Sequence, residues 1–128
     1  VFIIIICVAA VIFMPMVAKV PLAFAMSRQG KYDNMHPRQQ QANLEGLGAR
    51  ALAAHQNCYE AIAYFAPTIL LVLALDAQNA NTGAWCVAFV VLRLVYIALY
   101  CANLHILRSL AWALSMATLV PHYWLLLS

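Results

Sequence analysis

Arg50, Asn57 and Glu60 lie inside a stretch, "GARALAAHQNCYEAIAYFAPTILLVLAL", whose second half reads as a membrane span. At about 100° per residue the three share one helix face. They make a polar stripe about 15 Å long at 1.5 Å rise per residue. A second set, Arg93, Tyr96, Tyr100 and Asn103, is spaced i, i+3, i+7 and i+10 in "RLVYIALYCAN" and forms another such face. An ionisable group at membrane depth costs about 2.5–3.5 kcal/mol on insertion scales, so it turns inward toward a partner. Arg93 is therefore expected to be the counter-ion of Glu60. One such pair would be enough to fix helix register as structural glue. Two facing stripes with hydrogen-bonding groups to spare instead predict a cleft for a small zwitterionic ligand, reached from the end where Arg28, Arg38 and Arg108 gather.

The remaining polar residues at depth are read differently. His55 points about 160° away from Asn57, so it faces either a hydrogen-bond partner in the bundle or a neighbouring protomer. His122 and Trp124 are expected to anchor the C-terminal segment at the membrane interface. His105 lies off the polar face and takes no role. Cys7, Cys58, Cys86 and Cys101 all fall in apolar segments without paired spacing. They are expected to be small buried hydrophobes, forming neither a disulfide framework nor a metal site.

The elements that must carry these stripes follow from composition. Of 128 residues 66% are hydrophobic and 9% charged, and mean hydropathy is +0.85. A soluble domain carries about a quarter charged residues, and apolar runs of roughly 20 residues cross bilayers as helices. Four such runs are present: about Val1–Met26, kinked at Pro15 and Pro21; a helix restarting near Arg38 and running to about Leu75, kinked at Pro67; about Ala84–Ile106; and a last span ending near Leu127. The polar stretch "SRQGKYDNMHPRQQQANLEG" holds five of the eleven charges, "DAQNANTG" forms the second loop, and a tight connection is expected near Leu107–Ser109. The first run is too long for a signal-peptide core and leads into further spans. The sequence starts at Val1, so a few residues are expected to precede it. The result is an all-α integral membrane four-helix bundle, one domain over residues 1–128. Basic residues in loops one and three, against Asp76 in loop two, predict those two loops in the cytoplasm and both termini outside. A net charge of +3 with no basic stripe argues against nucleic acid.

These residues resemble the MAPEG family, the membrane-associated proteins of eicosanoid and glutathione metabolism. "RALAAHQNCYE" is similar to the family's second-helix Arg followed by Asn-x-x-Glu, "RLVYIALY" to its third-helix Arg-x-x-Tyr-x-x-x-Tyr, and "GKYDNMHPR" to the first loop of bacterial members. The resemblance implies a homotrimer, in a bacterial inner membrane, with glutathione held between protomers. It assigns the ligand's backbone and amino group to Asn57 and Glu60, hydrogen bonds to Tyr96 and Tyr100, support to Arg93 and Arg50, and reach from the adjacent protomer to Arg28 and His55. Arg108, near the start of the fourth helix, is implied as the catalytic cation that stabilises the thiolate. Family enzymes usually carry another arginine four residues before the asparagine, where this chain has Ala53.

The implied activity is that of a glutathione-dependent transferase or peroxidase acting on hydrophobic electrophiles delivered from the bilayer. The alternative is a non-catalytic member that binds lipid or a partner protein, as an accessory subunit of a larger membrane complex, because a fold does not guarantee chemistry. A transporter fits less well, since rings of like charge at the midplane are missing.

Overall fold

A computed structural model describes all residues from Val1 to Ser128. Six helices form: α1 (Phe2–Arg28), α2 (Pro37–Ala42), α3 (Leu47–Ala74), α4 (Thr82–Cys101), α5 (His105–Ala117) and α6 (Val120–Leu127). The pair α5–α6 acts as one apolar span of His105–Leu127, giving four spans with α1, α3 and α4. The expected all-α four-span bundle is thus what the chain forms.

The packing has a simple physical basis. Residues 4, 7, 11, 14, 18, 22 and 26 of α1 are buried, three or four residues apart, as helices packing along one stripe require. They meet a face of α3 rich in small residues, Ala51, Ala54, Cys58 and Ala61. Small side chains let backbones approach where lipid supplies no hydrophobic drive between helices. Further along α3, Phe65 stacks on Phe89 of α4 with ring centroids 4.5 Å apart. Pro15, Pro21 and Pro67 all lie within continuous helices.

The turns after α3 and α4 are each closed by a left-handed residue other than glycine. At the end of α3, Asp76 has φ 52°, Ala77 N donates to Val72 O at 2.9 Å and Asp76 N to Leu73 O at 3.3 Å. At the end of α4, Asn103 has φ 62°, Leu104 N donates to Leu99 O at 3.0 Å and Asn103 N to Tyr100 O at 3.1 Å. This paired pattern satisfies the terminal carbonyls of a helix. Asn79 sits just ahead of α4, its Oδ1 accepting from Asn81 N and Thr82 N.

Two expectations about boundaries and one about burial are corrected. The helix expected to restart at Arg38 and run on does not do so: α2 ends at Ala42 and the chain turns through Gly46, at φ 55°, before α3 begins. The third connection lies at Ala102–Leu104, not at Leu107–Ser109, because Asn103 in the left-handed region stops α4 early. Asn103 therefore serves the turn and does not extend the polar face of α4. His122 is fully buried, not an interfacial anchor. Its Nδ1 donates to Thr118 O at 3.0 Å, leaving Nε2 toward Cys86 Sγ at 3.8 Å. Trp124, 75% exposed, remains at the surface. Three cysteines are buried and Cys101 is half-buried, all of them free.

The first loop is tied down by side chains. Gln40 accepts from Asp33 N at 3.0 Å and donates to Lys31 O at 3.2 Å. Asp33 Oδ1 accepts from Met35 N and His36 N, and the His36 amide is the main reason its carboxyl is held below the usual carboxylate range.

The turn assignment carries a test. Asn103→Ala should cost about 1 kcal/mol, the penalty of a left-handed alanine, whereas Asn103→Gly should hold the melting temperature in detergent. Equal melting temperatures for the alanine and wild-type proteins would return Asn103 to the helix face.

Candidate functional site

The site is built where α3 and α4 meet. Arg93 has no solvent exposure, and its guanidinium lies 4.3 Å above the ring of Tyr96, one turn further along α4. Its Nη2 donates to the side-chain carbonyl of Asn57 on α3 and to Asn57 O at 3.4 Å. Asn57 Nδ2 in turn donates to Glu60 Oε2 at 2.5 Å. The carboxamide is thereby oriented from both sides, its oxygen toward the cation and its amide toward the carboxylate.

This arrangement corrects the expected Glu60–Arg93 ion pair. The one contact within 4.0 Å between a basic side-chain nitrogen and a carboxylate in the chain is His36 Nδ1–Asp33 Oδ2, at 3.5 Å. Asn57 stands between Arg93 and Glu60, so the two charges communicate through an amide. Glu60 is exposed, with a carboxylate edge free for a ligand, while Arg93 Nε and Nη1 are buried without a hydrogen-bond partner. Buried donors of a charged group left unmet are costly.

On the other side of Asn57 a cavity of about 240 Å³ is lined by Tyr96, Tyr100, Arg108, Ser109 and Trp112 as well as Asn57 itself. Tyr96 and Tyr100 pack edge to face at 5.6 Å. The Arg108 guanidinium lies 4.1 Å over the Tyr100 ring. Because the α4–α5 turn is only three residues long, Arg108 folds back one helical turn inside α5 onto the last turn of α4. The cavity is thus lined by a carboxamide, two phenols, a hydroxyl and one guanidinium, with the exposed Glu60 carboxylate tied to it through Asn57, and Arg108 favours an anion there.

Three sequence-predicted residues lie elsewhere in the protomer. Arg50 Nε donates to Cys101 O at 3.2 Å, so Arg50 caps the C-terminus of α4, where a cation is favoured by the helix dipole. His55 Nδ1 donates to Pro15 O at 2.9 Å on α1 and meets Tyr59 edge to face. Arg28 ends α1, 5.0 Å over Phe24, beside a separate cavity near Glu45 and Gly48. Sequence reasoning also passed over Lys19. It sits in "MPMVAKVPLAF" between two prolines, where a charge in an otherwise apolar run was the available signal.

The chain belongs to the MAPEG family, whose family model matches residues 3–128, essentially the whole chain. No curated protein and no solved structure matches it.

The geometry separates binding residues from scaffolding ones. Asn57→Leu should destabilise the bundle by at least about 2 kcal/mol, because it strands the buried Arg93 guanidinium. Arg50→Met should cost about 1 kcal/mol through the lost cap. Chemical or thermal melting of the purified variants checks both, and an Asn57→Leu protein as stable as wild type would contradict the bridging role.

Proposed function

We propose that this chain, as a member of the MAPEG family, binds glutathione in the α3–α4–α5 cleft and activates its thiol for attack on hydrophobic electrophiles, as a membrane transferase or peroxidase. The observation that carries the reading is the Arg93–Asn57–Glu60 chain beside a cavity that also contains Tyr100 and Arg108. Its donor set suits glutathione, a tripeptide with two carboxylates, an ammonium and a thiol. The exposed Glu60 carboxylate suits the ammonium, the Tyr96 and Tyr100 phenols suit carbonyl or carboxylate oxygens, and the buried Arg93 acts through Asn57, whose carboxamide it orients.

When bound, glutathione supplies the nucleophilic sulfur. Arg108 stabilises the deprotonated thiol by its charge, as nearby cations lower thiol pKa values. Tyr100, under the Arg108 guanidinium, holds that cation in place. The lipid-facing surfaces of α1 and α5, with Phe13, Leu110 and Leu114 exposed, suit substrates arriving from the bilayer.

The same reading makes the working form a homotrimer. His55 and Tyr59 are polar groups on a span face that nothing in the protomer covers fully, and an adjacent copy would supply both cover and, with Arg28, further contacts to the ligand. The orientation with loops one and three in the cytoplasm opens the cleft toward the compartment that holds glutathione.

Two measurements test the reading. Glu60→Gln should weaken glutathione binding roughly tenfold or more with little change in stability, since Glu60 is exposed. Arg108→Ala should leave affinity within a few fold while the bound thiol's apparent pKa rises by about 1–2, so that the ultraviolet thiolate band fades at neutral pH. Unchanged binding in the first variant removes the cleft, and an unchanged band in the second removes Arg108 from the chemistry. Cross-linking in native membranes should give a ladder that ends at three copies, and an endpoint of two would contradict the trimer.

A further inference from the structure

Trp112 lines the same cavity as Arg108, yet neither the fold nor the glutathione contacts employ its ring. It follows Arg108 by four residues on α5, so the two share one helix edge about 6 Å apart along the axis. Ala111 and Ser115 are the buried residues of α5. Trp112, 40% exposed, stands beside that stripe, where it reaches the cavity and stays open toward the bilayer. The other two indoles have an ordinary explanation. Trp85 and Trp124 lie within one turn of the ends of α4 and α6, at the depth of an aromatic belt. Trp112 is seven residues into its span, about 10 Å below the start, too deep for that belt.

The other donors lining this cavity are committed. Asn57 Nδ2 donates to Glu60, and Ser109 Oγ donates to His105 O at 3.0 Å. In the glutathione reading, on which this inference rests, the Tyr96 and Tyr100 phenols hold the peptide and Arg108 the sulfur. The Trp112 carbonyl accepts from Ser115 Oγ at 2.7 Å, but its ring N–H bonds no group of the chain. A tryptophan N–H removed from water ordinarily finds a partner. The indole is thus the uncommitted donor of the cavity, on the membrane side of the cation that holds the thiolate.

The chemistry that such a donor serves is narrow. An indole N–H gives a hydrogen bond but not its proton. Opening an epoxide or cleaving a peroxide expels an alkoxide, which must be protonated. Addition to a conjugated carbonyl expels nothing. A bond forms between the sulfur and the β-carbon, and the electron pair of the carbon–carbon double bond shifts to give an enolate. The enolate oxygen accepts the indole N–H, and water supplies the α-carbon with a proton in place of the one that the thiol lost. A fixed donor at a developing oxyanion is worth about 10²–10³ in rate, and the flat face of the indole suits a planar conjugated system.

We propose that Trp112 binds the second substrate and selects α,β-unsaturated ketones and aldehydes that carry an alkyl chain, its ring N–H donating to the carbonyl oxygen as the thiolate adds. Two readouts test this. In a Trp85→Phe/Trp124→Phe protein Trp112 is the one indole left of three. Without glutathione, ethyl pentyl ketone, an unreactive saturated analogue, should quench its fluorescence saturably, and octane should not. With glutathione, Trp112→Phe keeps an aromatic ring and drops the N–H. It should lower the ratio of kcat/KM for pentyl vinyl ketone to that for hexyl iodide at least about tenfold, because displacing iodide develops no charge on oxygen. Equal effects of ketone and octane on the fluorescence, or an unchanged ratio beside an intact thiolate band, would overturn the Trp112 assignment alone. A wild-type protein with neither glutathione binding nor a thiolate band would defeat the glutathione reading and this one with it.

Discussion

The structure turns on one fully buried guanidinium. Arg93 sits in the middle of α4, where water is excluded, and a cation there must be met by protein groups or not persist. Asn57 meets it with both its side-chain and its main-chain oxygen. A one-residue slip of α4 past α3 would break both bonds and turn Arg93 toward lipid. The interaction that fixes register therefore also orients the Asn57 amide that donates to the exposed Glu60 carboxylate. Scaffold and candidate site share the same three residues, and the glue reading and the ligand reading of the stripes describe two ends of one hydrogen-bonded chain.

The two ends of the bundle are built on different principles. Around Phe65 and Phe89 the contact is dry and aromatic, and His122 and Cys86 are sealed within it. Toward the α4–α5 turn, the same helices carry amides, phenols and cations that exceed their own hydrogen-bonding needs. The dry end holds the helices together, which lets the polar end remain open without the bundle coming apart. Arg50, bonded to the last carbonyl of α4, closes the polar end at the turn itself.

Periodicity made much of this legible from residues alone. The four spans follow from apolar runs, and the facing of α3 and α4 follows from two stripes that needed each other, although the partner expected for Arg93 was Glu60 and the one it meets is Asn57. Periodicity says which face a residue takes but not which atom it reaches. Arg50 shares a face with Asn57, yet its longer side chain finds a helix terminus. The end of α4 was read late because an asparagine in an apolar run looks like a helix residue until its φ is known, and only the left-handed conformation at Asn103 shows the stop. Lys19 was missed because hydropathy averaged over a long window hides one charge among many aliphatic residues. His122 was placed at the surface because its neighbours Tyr123 and Trp124 are interfacial types, whereas the break between α5 and α6 turns it inward.

That early stop at Asn103 bears directly on chemistry. Had α4 run on to Ile106, Arg108 would fall in a loop and point away from the phenols. With the helix ended at Cys101 and α5 begun at His105, Arg108 lies in the first turn of α5 and returns over Tyr100. The N-terminal end of a helix is the positive end of its dipole, so α5 and its own arginine favour an anion in the same place. The opposing negative end of α4 is muted, because Asn103 and Leu104 amides and the Arg50 side chain occupy its carbonyls. A turn closed by an asparagine thus leaves a net positive field beside Arg108, and the electrostatics of the cleft are set by backbone geometry as much as by the charged side chain that lines it.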